Sequence, residues 1–160
     1  MSGRGVLFAI DDEDLGRLGE AGTDADVLRV VAEIEERWDQ ACELDKAWDA
    51  IHRALTDGKL ALDNGRPPLS HAILGGTILV DSAEAIVSVK GPDEVAAIAR
   101  ALATWDAARF RAAYHRIDRG EYGELDEDDL TYCLAWFERL GPFYAEAARA
   151  ERAVVLSVDL

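Results

Sequence analysis

The 160-residue sequence has few basic residues for its size and no long apolar run. It has 17 Lys and Arg against 32 Asp and Glu, which gives a formal net charge of −15. Nucleic acids and anionic lipid surfaces are bound by clustered positive charge, so this composition argues against both as partners. The same excess of acid permits a basic protein partner.

Cysteine is also scarce, and the two that are present, Cys42 and Cys133, match no metal-ligand spacing. Each lies in an apolar helical context, which is typical of buried, reduced thiols in a cytosolic protein. No apolar run approaches the 18 residues of a membrane span, and no signal-peptide segment follows Arg4. We therefore expect a cytoplasmic protein without a metal or cofactor.

Apolar residues make up 49% of the chain, as in an ordinary globular protein, and the length predicts one domain, residues 1–160. Apolar runs rich in branched residues predict strands at residues 6–10, 77–80, 85–89 and 153–158. The first run has the length and composition of a strand buried on both faces.

Residues 44–58 form the stretch around which the chain is organised. Trp48 and Leu55 fall on one face of a predicted helix, while the side chains between them are mostly charged or polar. Asp45 stands where a carboxylate caps a helix N-terminus. Gly58 is placed to close the C-terminus in a left-handed turn.

Other helices are predicted from their N-terminal signals, and Pro142 is expected to kink the last one. Asp11 is a predicted N-cap, with Asp14 three residues later at the capping-box position. Residues 124–129 contain five carboxylates, which suit either a bound divalent metal or, as we favour, a solvated helix start. The remaining helix starts are predicted near Thr23, Gly91, Thr104 and Asp126.

These elements predict an α+β fold with a small mixed β-sheet. The N- and C-terminal strands are expected to be central in the sheet. Several amphipathic helices are expected to cover it.

Four stretches of the sequence carry a family resemblance. They are the N-terminal strand with Asp11-Asp12-Glu13; Leu44-Asp45-Lys46-Ala47-Trp48 with Ile51-His52 and Leu55-Thr56; Pro68-Leu69 through Gly75-Gly76; and Phe137-Glu138-Arg139-Leu140 with Phe143-Tyr144 and Ala147-Ala148. Together they resemble the YfbM-like family of uncharacterised bacterial proteins. The resemblance implies a bacterial source, a fold of mixed strands and helices, and no known activity. The family's segment before the last helix is usually longer than residues 118–128, and Pro142 departs from its pattern.

Seven polar, aromatic or glycine residues are candidates for a binding site, each with a structural alternative. The predicted pocket lies between the start of the 44–58 helix and the 70–76 turn, where a double glycine lets backbone approach a ligand. A histidine can move protons near neutral pH, but a lone helical histidine is more often a hydrogen-bonded packing residue. The candidates are Asp45, Lys46, Trp48, His52, His71, Gly75 and Gly76.

Two functional classes remain open from the sequence. The favoured class is a non-enzymatic binding or regulatory protein, in one form an immunity-like inhibitor of a basic toxin or nuclease. The alternative is a small-molecule enzyme with a site near Asp45, His52 and His71. No complete catalytic motif, such as H-E-x-x-H or G-x-S-x-G, supports the enzyme.

Overall fold

The computed structural model describes residues 3–160, which form one five-stranded sheet with helices on both faces. The strands are β1 (Arg4–Ile10), β2 (Ala41–Asp45), β3 (Thr77–Asp81), β4 (Ala85–Lys90) and β5 (Ala153–Asp159). The helices are α1 (Asp12–Glu20), α2 (Asp24–Arg37), α3 (Trp48–Leu55), α4 (Pro92–Leu102), α5 (Ala107–Tyr114), α6 (Arg119–Tyr122), α7 (Glu127–Phe137) and α8 (Leu140–Arg149). No helix in this described part of the chain is long and apolar enough to cross a membrane.

The strands follow the spatial order β2-β1-β5-β4-β3, so the predicted α+β class and the central place of the terminal strands are confirmed. Every neighbouring pair of strands is antiparallel. The expectation of a mixed sheet is therefore wrong. The reason is visible at β3 and β4, which are joined by residues 82–84 alone. A parallel pair would need a crossover of a dozen residues or more.

The sheet divides the apolar interior into two cores. Phe8 of β1 packs into the core that α1 and α2 cover, while Leu7 packs into the larger core under the other helices. Successive strand side chains point to opposite faces, so β1 is buried on both, as predicted. The larger core contains α3, whose Trp48 and Ile51 side chains are fully buried.

Helix starts follow the predicted capping chemistry in part. Asp11 Oδ1 accepts from the Asp14 N–H at 2.9 Å, and Thr23 Oγ1 accepts from the Asp26 N–H at 3.1 Å. The predicted cap at Thr104 is wrong, because the chain continues in a turn and Asp106 caps α5 instead. The Thr104 hydroxyl donates back to the preceding helix.

The predicted kink at Pro142 is a full break between α7 and α8. Pro142 lies in the first turn of α8, where backbone N–H groups have no intrahelical partner. The N–H that proline lacks therefore costs the helix no hydrogen bond. The break lets α7 and α8 cover different parts of the same core.

The predicted helix at residues 44–58 is wrong at its beginning. Residues 41–45 form β2, an edge strand, and Asp45 ends it with φ of 46° instead of capping a helix. Cys42 and Leu44 point into the core, so this alternating burial favours pairing with β1 over a longer helix. The C-terminal turn is as predicted: Gly58 has φ of 89°, and its N–H donates to the Arg53 carbonyl at 3.0 Å.

Candidate functional site

The turn at residues 69–76, where a pocket was predicted, is largely buried and its backbone is bonded by side chains from three elements. Buried backbone groups need hydrogen-bond partners, and α3, β4 and α8 each supply one here. The Tyr144 hydroxyl donates to Ala72 O (2.7 Å), Lys90 Nζ donates to Ile73 O (2.5 Å), and the Leu74 N–H donates to His52 Nδ1 (3.5 Å).

His52 is fully buried on α3 and both of its ring nitrogens are engaged. Its Nε2 lies 2.7 Å from Asn64 Oδ1, so Nε2 carries the proton and Nδ1 is left to accept from the Leu74 N–H. Burial lowers the pKa of the imidazole, which keeps the ring neutral. This geometry supports the structural interpretation of His52 over a role as a general base.

His71 lies at the rim of the same turn, with 28% of its side chain exposed. Its Nδ1 is 3.5 Å from Glu94 Oε2 on α4. The neighbouring Ser70 is buried, and its carbonyl accepts from the Gly75 N–H at 3.1 Å. The arrangement contains a surface histidine–carboxylate contact and no nucleophile–base pair.

The two glycines of the turn are required by close contacts within the protein. A Cβ on Gly75 would lie 2.4 Å from the Ser70 carbonyl oxygen, and one on Gly76 would lie 2.5 Å from the Val89 carbonyl oxygen. Gly76 also has φ of 109°, a conformation that favours glycine. The two glycines were predicted to let the backbone approach a ligand closely. In the structure they let it approach the neighbouring backbone of the protein itself.

Lys90 is the buried residue of this region that the sequence analysis missed. Its side chain is fully buried, and Nζ lies 2.5 Å from both Ile73 O and Ser88 Oγ. These two acceptors match the two N–H groups of a neutral amine, and burial lowers the lysine pKa to about 7. The signal was the alternation of Ile86, Ser88 and Lys90, which places all three on one face of β4.

Trp48, the first residue of α3, belongs to the core. It is fully buried, and its indole N–H donates to the Gly3 carbonyl at 2.8 Å. The ring also packs against Gly5, where a Cβ would lie 2.8 Å from the indole. This placement favours the structural alternative for Trp48 and leaves no ring face for a ligand to stack on.

An open cleft of about 380 Å³ lies between α3 and α7. The candidate Lys46 lies at the cleft, while Asp45 borders it through a hydrogen bond from the Tyr132 hydroxyl at 2.5 Å. Four carboxylates line the cleft against one lysine, which makes it acidic. They belong to Asp49, Glu124, Asp126 and Asp129.

Tyrosine hydroxyls hold two of the carboxylates around the cleft in place. Asp129 Oδ2 accepts from Tyr114 at 2.5 Å and from Tyr122 at 2.6 Å, and Tyr132 binds Asp45. Burial and the adjacent carboxylate raise the tyrosine pKa values, to about 12 for Tyr132. The hydroxyls therefore remain protonated donors, and the carboxylates keep their orientation.

A buried ion pair supports the cleft from α3. Arg53 Nε lies 2.6 Å from Asp49 Oδ1, and Arg53 Nη1 reaches Glu121 Oε2 at 3.1 Å. The same guanidinium lies over the Tyr122 ring, 5.6 Å from its centre. These contacts join α3 to α6 and fix the wall that carries Asp49 and Tyr122.

Within residues 3–160, no group of three or more His, Cys, Asp or Glu side chains is placed to hold a metal ion. Cys133 lines the cleft, but burial raises its pKa to about 12, so it stays a thiol. Cys42 is buried as well, with a pKa raised to about 12 by the same cause. Neither cysteine is placed to act as a thiolate nucleophile.

The predicted site residues thus divide into three groups. His52, His71, Gly75 and Gly76 meet at the buried turn, Trp48 is in the core, and Asp45 and Lys46 lie at the cleft. From the sequence, the carboxylates of residues 124–129 were interpreted as a solvated helix start in preference to a divalent-metal site, and not as part of a cleft. Their position opposite α3 depends on the packing of α7, which local sequence does not encode.

The comparisons with known proteins agree with the predicted resemblance, which is confirmed. The family model described as "Domain of unknown function (DUF1877)" matches residues 1–157. The chain is also similar to the crystal structure of YfbM, a protein of unknown function from Escherichia coli. That match has a TM-score of 0.72 and 22% identity, and covers 97% of this chain and 99% of that one. No curated protein matches.

Proposed function

The chain belongs to the DUF1877 family of unknown function, and from this premise we propose that it is a non-enzymatic binding protein for a basic protein partner. The observation that carries the proposal is the acidic cleft between α3 and α7, lined by four carboxylates and one lysine. The net charge of −15 supports the same partner, because it attracts a basic protein from a distance.

The cleft suits the side chain of a lysine or arginine. A carboxylate forms strong, charge-assisted hydrogen bonds with either cation, and the rings of Tyr122 and Tyr132 add aromatic surface next to them. Asp129 is already oriented by two tyrosine hydroxyls, so little conformational freedom is lost when a cation binds. A partner that inserts one basic side chain here would be held by charge and by shape.

An immunity-like protein that neutralises a basic toxin or nuclease is one form of such a binder. The proposal includes a cytoplasmic location, which the two buried free cysteines support. It includes no nucleic-acid or membrane partner, because the net charge has the wrong sign for either.

The small-molecule enzyme has less support from the geometry. Both ring nitrogens of His52 are bonded within the fold, and Asp45 is bonded to Tyr132 of α7. Within residues 3–160 no hydrogen bond joins Asp45 to His52 or His71. The three residues therefore do not form one constellation.

A matched pair of charge reversals tests the proposal. Glu124 is exposed at the cleft, whereas Glu20 is exposed at the end of α1 on the opposite face of the sheet. Glu124→Lys and Glu20→Lys change the net charge equally, so they differ only in position. We expect Glu124→Lys to weaken binding of a nine-lysine peptide about tenfold more than Glu20→Lys, a difference of about 1.4 kcal/mol.

The measurement is isothermal titration calorimetry of the full chain at 150 mM NaCl, where long-range attraction is screened beyond about 8 Å. Thermal melts of both variants check that each one folds. Equal affinities in the two variants would show that the peptide binds by net charge alone and would contradict a binding site at the cleft.

A further inference from the structure

Trp38, directly after α2, is an exposed aromatic residue in a backbone conformation that disfavours it. It has φ of 44° and ψ of 42°, the left-handed region, and 47% of the residue is exposed. A glycine is usual at this position after a helix, and for a bulky side chain the conformation is strained. Strain of this kind, at an exposed residue, points to a role outside the fold.

The indole already has a guanidinium against it. The Arg4 guanidinium lies 5.3 Å from the ring centre, and Phe8 meets the ring edge-on at 5.5 Å. Arg4 is held there by Glu43, whose two carboxylate oxygens lie 3.0 and 2.9 Å from Arg4 Nε. The combination of an aromatic face with a nearby carboxylate is therefore one that accommodates arginine.

Charge around Trp38 is mainly negative. Glu35, Glu36 and Asp39 are its neighbours in sequence, and Glu43 lies close through Arg4. Arg37, the other nearby base, forms an ion pair with the buried Asp14 at 2.5 Å. The surface next to the indole is complementary to a basic segment.

A chain of polar contacts connects this surface to the cleft along β2. Arg4 binds Glu43, Glu43 Oε1 accepts from the Asp45 N–H at 3.0 Å, and Asp45 accepts from the Tyr132 hydroxyl at 2.5 Å. Tyr132 itself lines the cleft. Trp38 and the cleft are therefore connected through β2, the edge strand of the sheet.

We propose that Trp38 is the aromatic anchor of the partner-binding surface and stacks against an arginine side chain of the basic protein partner. The inference rests on the proposed function, since it extends the cleft to a second contact on the same edge. Exposed tryptophans at interfaces often supply a large part of the binding free energy. In the alternative, Trp38 merely covers Phe8 and serves stability alone.

Replacement of Trp38 by glycine or asparagine separates the two roles, because both residues tolerate the left-handed conformation. Leu28→Ala is the control, since Leu28 is also a large exposed apolar residue of the α2 segment. The probe is a nine-arginine peptide, with binding to the full chain measured by calorimetry at 150 mM NaCl and folding measured by thermal melts.

We expect Trp38→Gly and Trp38→Asn to keep or raise the melting temperature and to weaken peptide binding about tenfold, with Leu28→Ala unchanged. A lower melting temperature in both variants, or affinity within about twofold of the parent, would overturn the inference. Glu124→Lys is measured alongside. If it weakens binding and the Trp38 variants do not, the inference fails and the proposed function stands; if it binds like Glu20→Lys, the proposed function fails.

Discussion

Two polar regions border α3, and they differ in how completely their hydrogen bonds are made. Toward the turn at residues 69–76, His52 is buried and both of its nitrogens are bonded within the protein. Toward α7, Glu124 and Asp126 are exposed at an open cleft of about 380 Å³. One region bonds the protein's own backbone, while the other faces solvent.

The difference shows why residue type alone is a weak guide to function. Histidine and lysine are the side chains most often chosen for proton transfer or nucleophilic attack. Here the side chains of His52 and Lys90 form hydrogen bonds with the backbone of a buried turn. Glu124 and Asp126, which look like ordinary helix-start chemistry before α7, are exposed at the cleft.

The largest effect is expected from Trp48, on the helix that both regions border. Trp48→Ala removes a fully buried aromatic side chain and its bond to the Gly3 carbonyl. We expect the free energy of unfolding to fall by about 3–5 kcal/mol. Urea denaturation measures this change. A loss below about 1 kcal/mol would show that Trp48 is not a core residue.

Lys90 should make stability depend on pH through the buried turn. The folded-state pKa of about 7 lies below the usual lysine value, so between these values the unfolded chain holds one more proton. The free energy of unfolding therefore rises with pH above about 7, by up to about 1.4 kcal/mol per unit, and levels off below.

The comparison that isolates this effect is with Lys90→Met, which lacks the titrating group. Urea denaturation at pH 7, 8 and 9 should show the parent gaining about 2 kcal/mol over the variant across that range. Parallel pH profiles for the two proteins would show that the Lys90 amine is charged in the fold. The buried turn would then contain an unneutralised cation instead of a fully bonded amine.

The two histidines at the turn should respond differently to removal. His52→Ala leaves the Leu74 N–H and Asn64 without their partner, and we expect a loss of about 1–3 kcal/mol. His71→Ala removes a partly exposed contact with Glu94 and should cost less than about 1 kcal/mol. Equal, negligible losses in urea denaturation would favour the ligand-binding interpretation of both residues.

His52 also predicts a loss of stability in mild acid. Burial lowers its pKa in the fold, so below the usual value of about 6.5 the unfolded chain binds the proton first. The free energy of unfolding of the parent should therefore fall as the pH drops below about 6.5. His52→Ala should lose this part of the pH dependence, whereas His71→Ala should keep it.

The sequence predicted the fold better than the site. Strand and helix periodicity found β1, β3, β4 and β5, and Asp11 and Thr23 were correctly identified as caps. It missed β2, because the alternation of Cys42 and Leu44 spans only five residues and runs into the pattern of α3. As a result, Asp45 was predicted at the start of a helix, whereas it lies at the end of a strand.

The site depended on long-range packing that local patterns do not contain. Tyr132 and Asp45 are 87 positions apart in sequence, yet their side chains form a hydrogen bond. Lys90 bonds a carbonyl 17 positions away, and only the fold shows that no solvent reaches it. The sequence identified candidate residues by their type. Only the structure shows which of these side chains are already hydrogen-bonded within the fold and which face solvent.

The central claim is that the open side of α3 binds cations as a defined site. The most direct measurement is an NMR titration of the ¹⁵N-labelled chain with a nine-arginine peptide at 150 mM NaCl. We expect amide shift changes concentrated at residues 46–49 and 122–133 and around Trp38, with little change in α1 or β3. Changes of equal size spread over the acidic surface, α1 included, would contradict it.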